Sequence, residues 1–365
     1  MTKLDSMTPA ASLQFQDQRE KAGRLTGALL AWYDRHRRSL PWRAEPDEQA
    51  DPYHVLVSEL MLQQTTVATV TSRFGPFIAR FPDLESLARA AESDVLHAWQ
   101  GLGYYRRARA LHAAARAVMR DHDGRLPTDV ETLQSLPGIG DYTAKAVAAI
   151  AFDQPVLPID GNGVRVLARA FAIDTPMPKA AKEVRDLALA FEPCLRSADL
   201  AQAVMDLGAT ICRPKQPRCT ACPWRSACTA HREGTAESLP QRAPKAKRPV
   251  RQGVAFLVTR PDGAILIRRR PSDGLLGGLH ELPSSDWRPP PFDREAALDE
   301  APARLDWRFY DQPVRHVFTH FKLELDLAEA ETDRTLEGLW QPSAALDELA
   351  LPTLMKKLLR KAGRM

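Results

Sequence analysis

A chain of 365 residues, 44% hydrophobic and 26% charged, is long enough for two sizeable cores and too apolar to remain disordered. Its formal charge of +4 is mild, so a polyanionic partner is permitted without being demanded. The first apolar stretch is broken by Gln16, Asp17, Arg19 and Glu20, and no run of about 18 apolar residues follows, so the expectation is a protein of the reducing cytosol with neither secretory leader nor membrane span.

Residues 1–23 read as an N-terminal tail and 24–232 as a helical domain. Leu25, Ala28, Leu29, Trp32 and Tyr33 recur at the spacing of an amphipathic helix, and Tyr105, Ala108, Leu111, His112, Ala115, Val118 and Met119 do so again. Basic clusters at Arg35, Arg37, Arg38 and at Arg106, Arg107, Arg109 read first as solvated faces. A helix beginning near Tyr53 carries Glu59 beside the stripe Leu56, Leu60, Val67 and Val70, which puts this carboxyl on or next to a buried face. Burial there raises its pKa and lets it carry a proton at neutral pH.

Thr128 followed by Glu131 is a capping-box signature that starts a short helix ahead of Leu136-Pro137-Gly138-Ile139-Gly140. Gly138 and Gly140 let the backbone approach a ligand and aim unpaired N–H groups of the next helix, Tyr142 to Ala151, at an anion. This is the form of a helix-hairpin-helix turn gripping a DNA phosphate, and equally that of a plain inter-helix turn. Pro158-Ile159-Asp160-Gly161-Asn162 opens another helix with Asp160 at the N-cap, where helix N–H groups and dipole favour the negative form of a carboxylate. A proton-carrying carboxyl and a fixed carboxylate are the pair that breaks glycosidic bonds through oxocarbenium-like transition states.

Cys212, Cys219, Cys222 and Cys228 gather four of the five cysteines, with gaps of six, two and five residues. Disulfides are rare in a reducing compartment, so the quartet reads as a metal site, with zinc and an iron-sulfur cluster both open. Cys194 reads as a buried thiol. Residues 233–250 set Gly234, Pro240, Pro244 and Pro249 among Arg242, Lys245, Lys247 and Arg248, a basic linker. From 251 to 365 the period becomes two, with Val254, Phe256 and Val258, then Ile265 and Ile267 after the turn Pro261-Asp262-Gly263, and later Phe321, Leu323, Leu325 and Leu327. An amphipathic helix from about Ala345 to Lys361 closes this strand-rich domain.

Taken together, Ser58-Glu59-Leu60-Met61-Leu62-Gln63-Gln64-Thr65, Gly101-Leu102-Gly103-Tyr104-Tyr105, Leu136-Pro137-Gly138-Ile139-Gly140, Asp160-Gly161-Asn162 and the cysteine quartet resemble the MutY family of adenine DNA glycosylases, within the helix-hairpin-helix superfamily that includes endonuclease III. The resemblance implies an α+β multidomain chain, an all-α helix-hairpin-helix glycosylase domain followed by an α/β MutT (Nudix)-like domain. It implies one 4Fe-4S cluster on the four cysteines, and a monomeric, nucleoid-associated enzyme of the cytoplasm acting on double-stranded DNA with adenine opposite 8-oxoguanine or guanine. Glu59 matches the acid that protonates adenine, Asp160 the carboxylate that stabilises the sugar cation, and Tyr142 and Asn162 their supports. Gln63, Gln64 and Tyr104 match residues that probe the base stack, and Arg38, Trp42 and Arg43 those that shape the adenine pocket.

Tyr142 stands where the endonuclease III branch has its lysine nucleophile, and Val164 where some members also carry lysine, so the resemblance implies a monofunctional glycosylase. Lys145 reads as solvated or phosphate-facing. Phe318-Thr319-His320 matches the family's 8-oxoguanine recognition loop, with Thr319 where many members have serine. Arg294-Glu295 to Asp299-Glu300 is only faintly similar to a Nudix box, so no nucleotide hydrolase activity is expected. Two competing readings are a bifunctional glycosylase and lyase, against which Tyr142 and Glu59 argue, and a noncatalytic iron-sulfur DNA-binding protein, which needs neither Glu59 nor Asp160.

Overall fold

The computed structural model describes residues 9–365 apart from Asp47, Leu195, 242–247, Ser272 and Asp273. The helices are α1 (Pro9–His36), α2 (Pro52–Leu62), α3 (Val67–Arg80), α4 (Leu84–Arg89), α5 (Glu92–Ala98), α6 (Arg106–Asp121), α7 (Val130–Ser135), α8 (Asp141–Phe152), α9 (Gly161–Phe171), α10 (Lys179–Ala188), α11 (Ser197–Asp206), α12 (Thr229–Arg232) and, near the C-terminus, α13 (Thr353–Lys361). The strands are β1 (Val250–Thr259), β2 (Ala264–Arg269), β3 (His280–Glu281), β4 (Arg308–Phe309), β5 (Val314–Val317), β6 (Lys322–Glu331) and β7 (Leu339–Pro342). Among the described residues no helix is long and apolar enough to cross a membrane.

The chain forms two compact units whose limits differ from those expected. One runs to Ala90 and resumes at Ala110 as far as Pro244; the other joins Ala91–Arg109 to the residues from Lys245 onward. In the helical unit, Leu25, Leu29, Trp32 and Tyr33 of α1 pack with Val166 and Leu167 of α9 and with Leu200 and Val204 of α11. The segment read as a tail is, from Pro9 on, part of α1. Its polar residues mask a role: Lys21 Nζ donates to Ala170 O at 2.7 Å and Thr229 Oγ1 at 2.8 Å, and Leu25 O accepts the Trp224 indole at 2.8 Å. The cap of α7 is also one residue later than expected, because Asp129 rather than Thr128 accepts the Thr132 N–H, at 2.8 Å.

The sheet runs β3-β2-β1-β6-β4, with β5 also on β6 and β7 also on β2; β1 and β6 are parallel and the other pairs antiparallel. In β1 the residues Gly253 to Thr259 are all buried, so the alternation read there does not separate a wet from a dry face. Ala255 and Leu257 face a core completed by Leu354, Met355 and Leu358 of α13, whereas Val254 and Phe256 face Ala297, Phe292 and Trp307 on the other side. The expected helix 345–361 is broken into a 3-10 turn, Ser343–Glu348, and α13, because Pro352 has no N–H to continue a helix. The Nudix-like stretch forms a 3-10 turn, Ala296–Glu300, whose Glu300 pairs with Arg288 at 2.6 Å and accepts the Asp286 N–H at 2.7 Å. Of the linker, Gln241 O accepts the Met177 N–H at 2.9 Å and Leu239 is buried, while Arg242, Lys245 and Lys247 lie outside the described residues.

Candidate active site

Helix α2 starts at Asp51, whose carboxylate accepts the N–H groups of Tyr53 and His54, with Pro52 preset for the first turn. Tyr53, Val55, Leu56, Val57, Leu60 and Met61 are all buried, so the helix is apolar on every side and Glu59 has no wet face to use. Glu59 is 5% exposed and its Oε2 accepts the Tyr142 hydroxyl of α8 at 2.8 Å. Burial pushes its carboxyl up to about 7, against the pull of that hydrogen bond; the negative charge of Asp160 adds to the rise and Arg43 opposes it. The Tyr142 phenol is raised well above its usual range, by burial first and then by Glu59 and Asp160. Around neutral pH one carboxyl thus still carries a proton part of the time, beside a phenol that stays neutral.

Asp160 caps α9, its Oδ1 accepting the Gly163 N–H at 2.6 Å and its Oδ2 the Asn162 amide at 3.0 Å. Asn162 is oriented in turn by Arg165, which donates to Asn162 Oδ1 at 2.9 Å, to Gly208 O at 2.8 Å and to Cys212 O at 2.8 Å. Gly208 lies in a π-helical segment, Leu207–Ile211, and a Cβ there would meet Asn162 Cβ at 2.7 Å. A continuous set of hydrogen bonds therefore runs from Asp160 to the cysteine loop. Arg165 and Gly208 went unnoticed in the sequence; Arg165 alone left a trace, as a charge within the apolar stripe of α9.

Arg38 and Arg43 come together on a residue that sequence reasoning also missed. Asp206 is fully buried, and it accepts Arg38 Nε at 2.6 Å and a two-pronged Arg43 contact at 2.7 Å on each oxygen. Its signal was an acidic residue inside the apolar run ending α11. Trp42 is buried edge-on against Phe74. Arg37 donates to Ala44 O at 2.5 Å, so of the first basic cluster Arg35 alone is on the exposed surface. Gln63 donates to Thr143 Oγ1 at 3.1 Å, next to Tyr142, and exposed Gln64 follows with left-handed φ of 55°.

The two glycines of the 136–140 turn have separate reasons. Gly138 has φ of 74° and a Cβ there would strike Ala110 Cβ at 2.3 Å, whereas a Cβ on Gly140 meets nothing within 4 Å. Gly140 is the N-cap of α8 and supplies no side-chain acceptor, so the first N–H groups of this helix are free of a capping side chain. Lys145 pairs with Asp141 at 3.0 Å, one turn from Tyr142.

Cys212, Cys219, Cys222 and Cys228 line one cavity with Val166, Leu207 and Trp224. Burial pushes the Cys222 thiol up to about 12 and raises Cys219 and Cys228 as well, with repulsion from neighbouring thiols adding to each. Arg169 donates to Cys212 Sγ at 3.4 Å and to the carbonyls of Arg213 and Pro214. Among the described residues no three His, Cys, Asp or Glu side chains converge closely enough for a single ion. Four thiols around one shared cavity are a soft donor set that suits a thiolate-bound metal or an iron-sulfur cluster.

In the sheet unit the 101–105 turn has three left-handed or glycine-like positions, Gly101 and Gly103 with φ of 89° and 67° and Tyr104 with φ of 47°. Arg107 donates to Leu102 O at 2.9 Å and Gly103 O at 3.1 Å and lies over the rings of Trp99 and Tyr104. It is buried, not part of a solvated basic face. Tyr104 is 48% exposed, and its hydroxyl meets Thr319 Oγ1 at 2.5 Å. Thr319 and exposed His320 form the turn between β5 and β6, closed by Phe318 N–H to Phe321 O at 2.9 Å. Tyr104, Phe318, Thr319 and His320 line a cavity of about 680 Å³ with Leu275 and Arg248.

Two family models match: HhH-GPD superfamily base excision DNA repair protein over residues 57–190, and NUDIX domain over residues 254–361. The chain is 35% identical to the adenine DNA glycosylase of Homo sapiens, over 92% of this chain and 73% of that protein. It is 44% identical to the adenine DNA glycosylase of Mycobacterium tuberculosis, over 54% of this chain and 67% of that one. Among solved structures, a thermostable thymine-DNA glycosylase matches with TM-score 0.52 at 28% identity, covering 59% of this chain and 98% of its own.

Proposed function

Because the chain belongs to the adenine DNA glycosylases of base excision repair, we propose that its substrate is adenine paired with 8-oxoguanine, or with guanine, in duplex DNA. We further infer that the adenine is flipped out of the helix and cut free without strand cleavage. The observation that carries this reading is the Glu59 carboxyl, 5% exposed and accepting the Tyr142 hydroxyl at 2.8 Å, with burial raising its pKa.

The protonated Glu59 gives its proton to the adenine as the bond from the sugar to the base breaks. Asp160, held by Gly163 N–H and Asn162, faces the cation left on the sugar. A water then adds to that carbon and its released proton returns to Glu59, leaving an abasic site. Proton donation contributes about 10² to 10⁴ in rate, roughly 3 to 5 kcal/mol. Enzymes supply about 8 to 23 kcal/mol, so charge stabilisation by Asp160 and the grip on the extruded nucleotide are required for the rest. No amine is available for a covalent sugar adduct at Tyr142, and Lys145 is tied to Asp141.

Extruding a base costs a few kcal/mol, and an exposed aromatic such as Tyr104 stacking in the gap returns about 1 to 3. Thr319 supplies a hydroxyl able to donate to or accept from the base opposite the adenine. The four cysteines would hold one 4Fe-4S cluster, which supplies no step of the reaction and fixes the loop from Cys212 to Cys228. Arg213, Lys215 and Arg218 on that loop would meet DNA phosphates.

Incubating the purified protein with duplexes bearing adenine opposite 8-oxoguanine, then adding alkali, tests the reading. Cleavage only after alkali is expected. Cleavage without alkali that disappears in Lys145→Ala would overturn the monofunctional assignment, and no adenine release from either mispair would overturn the substrate.

A further inference from the structure

The second basic cluster, read as a solvated face, is largely spent inside the sheet unit. Arg109 Nε donates to Glu92 Oε1 at 3.2 Å, and its Nη2 donates to Gly277 O. Arg269 approaches the same Glu92 oxygen at 3.6 Å and donates from its own Nε to Gly278 O at 3.0 Å. Two arginines thus share one carboxylate and hold two consecutive carbonyls of the loop between β2 and β3. Gly278 has φ of 69°, and a Cβ there would overlap the Arg109 guanidinium at 2.0 Å, so the loop is shaped to admit it. A further tie joins Gln100 Nε2 to Leu349 O at 2.8 Å.

These ties flank the exposed readers. Arg109 follows the Tyr104 turn by one turn of α6, and Gly277 and Gly278 follow Leu275, an exposed apolar residue of the same cavity that holds Tyr104 and Thr319. An isolated exposed ion pair contributes little. Here each arginine also takes a backbone carbonyl, so the carboxylate fixes two pieces of chain in one register.

We propose that Glu92, Arg109 and Arg269 are positioning residues that hold the Tyr104 turn against the 274–279 loop, across the cavity that Thr319 also lines, and thereby set which base opposite the adenine is accepted. The proposal rests on the reading of 8-oxoguanine given above. It places no chemistry on these residues, whose loss leaves Glu59 and Asp160 as they are.

The test uses the full chain as wild type, Arg109→Ala, Arg109→Lys and Gly278→Ala, the last of which displaces the guanidinium while keeping its charge. Adenine release under single-turnover conditions is measured opposite 8-oxoguanine and opposite guanine, with melting temperature as a control for folding. Arg109→Ala and Gly278→Ala are expected to lower the 8-oxoguanine preference by roughly tenfold, equivalent to about 1.4 kcal/mol, with release opposite guanine and melting unchanged. Arg109→Lys keeps one contact and falls between. Hydrogen exchange of the DNA-free protein is read at 101–105 and 274–279, where both segments should exchange faster together in Arg109→Ala. Unchanged exchange, or an unchanged preference in both variants, overturns the proposal. If wild type shows no preference while exchange rises at both segments, the clasp stands and the 8-oxoguanine reading fails.

Discussion

The helical and sheet units hold their candidate functional side chains in opposite ways. Glu59, Asp160, Arg43 and Asp206 are tied by hydrogen bonds at 2.6–3.0 Å, and Asn162 and Asp206 are themselves held by further groups, Arg165 and the paired arginines. Tyr104, Thr319, His320 and Leu275 are exposed on turns, with left-handed backbone at Tyr104 and at Gly274 and Leu276 on either side of Leu275. The difference fits the role proposed for each. Breaking a bond needs fixed dipoles in a dry site, where they cost no reorganisation. Reading a base inside a duplex needs surface that water covers until DNA arrives. Substitutions in the first unit should therefore cost orders of magnitude, and those in the second only small factors.

The largest effect is expected for Glu59→Gln, which removes the transferable proton and should lower single-turnover excision by about 10² to 10⁴. The wild-type rate should fall tenfold per unit as pH rises above about 7, where Glu59 loses its proton. A flat profile from pH 6 to 9 would remove the acid role. The same group lowers stability in a defined window: between its ordinary value of 4.5 and its folded value of about 7, the unfolded chain releases a proton that the folded chain keeps. Stability therefore declines as pH rises through that window, by roughly 3 kcal/mol at most. Glu59→Gln should melt higher than wild type at pH 8 and lose that advantage at pH 5, which thermal melts at the two pH values would show.

Asp206→Ala tests the buried ion cluster. It leaves Arg43, with a side chain 6% exposed, without the carboxylate it is paired with, and removes the partner of Arg38. Breaking a buried pair from one side costs about 3 to 5 kcal/mol, so denaturant unfolding should shift by that amount. A shift under about 1 kcal/mol, the scale of an exposed pair, would mean that water reaches the arginines. Arg165→Leu comes next. It frees Asn162 and leaves Cys212 O and Gly208 O short of a donor. Losing charge-assisted bonds of about 1.5 to 3 kcal/mol should slow excision by roughly tenfold to a hundredfold and reduce iron bound per chain. Full iron content with slow excision would place the effect on Asn162 alone.

The two units were also unequally legible in the sequence. The motifs around Glu59, Asp160 and the cysteines are short and local, and each side chain sits where its helix period or cap position puts it. The partners of Asp206, Arg165 and Gly208 are not legible, because they depend on α11 and the π segment returning to α9 from far along the chain; the sequence shows only a charge inside an apolar run at Asp206 and Arg165. A buried arginine and a solvated one look alike in a charge run, so Arg107 and Arg109 were misread together. The break in the expected 345–361 helix was written in Pro352 and was overridden by the apolar period on both sides. Residues 9–23 were read as a tail because Gln16, Asp17, Arg19 and Glu20 interrupt the apolar pattern, yet Ala22 and Phe15 still face the core on one side of α1.

The smallest effect should come from the bond between Tyr104 and Thr319. Both groups are exposed, so water replaces either partner when the other is removed, and a neutral hydrogen bond of this kind contributes about 0.5 to 1.5 kcal/mol. Tyr104→Phe keeps the ring available for stacking, and Thr319→Ser keeps a hydroxyl. Each should change affinity for an 8-oxoguanine duplex by less than tenfold, whereas Thr319→Val removes the hydroxyl proposed to meet the base and should cost more than Tyr104→Phe. The comparison sharpens if the double variant Tyr104→Phe with Thr319→Val costs no more than Thr319→Val alone, because the phenol then acts only by orienting the threonine. It breaks if Tyr104→Phe alone costs a hundredfold or more in excision, since an exposed turn would then govern the chemistry no less than the buried helices do.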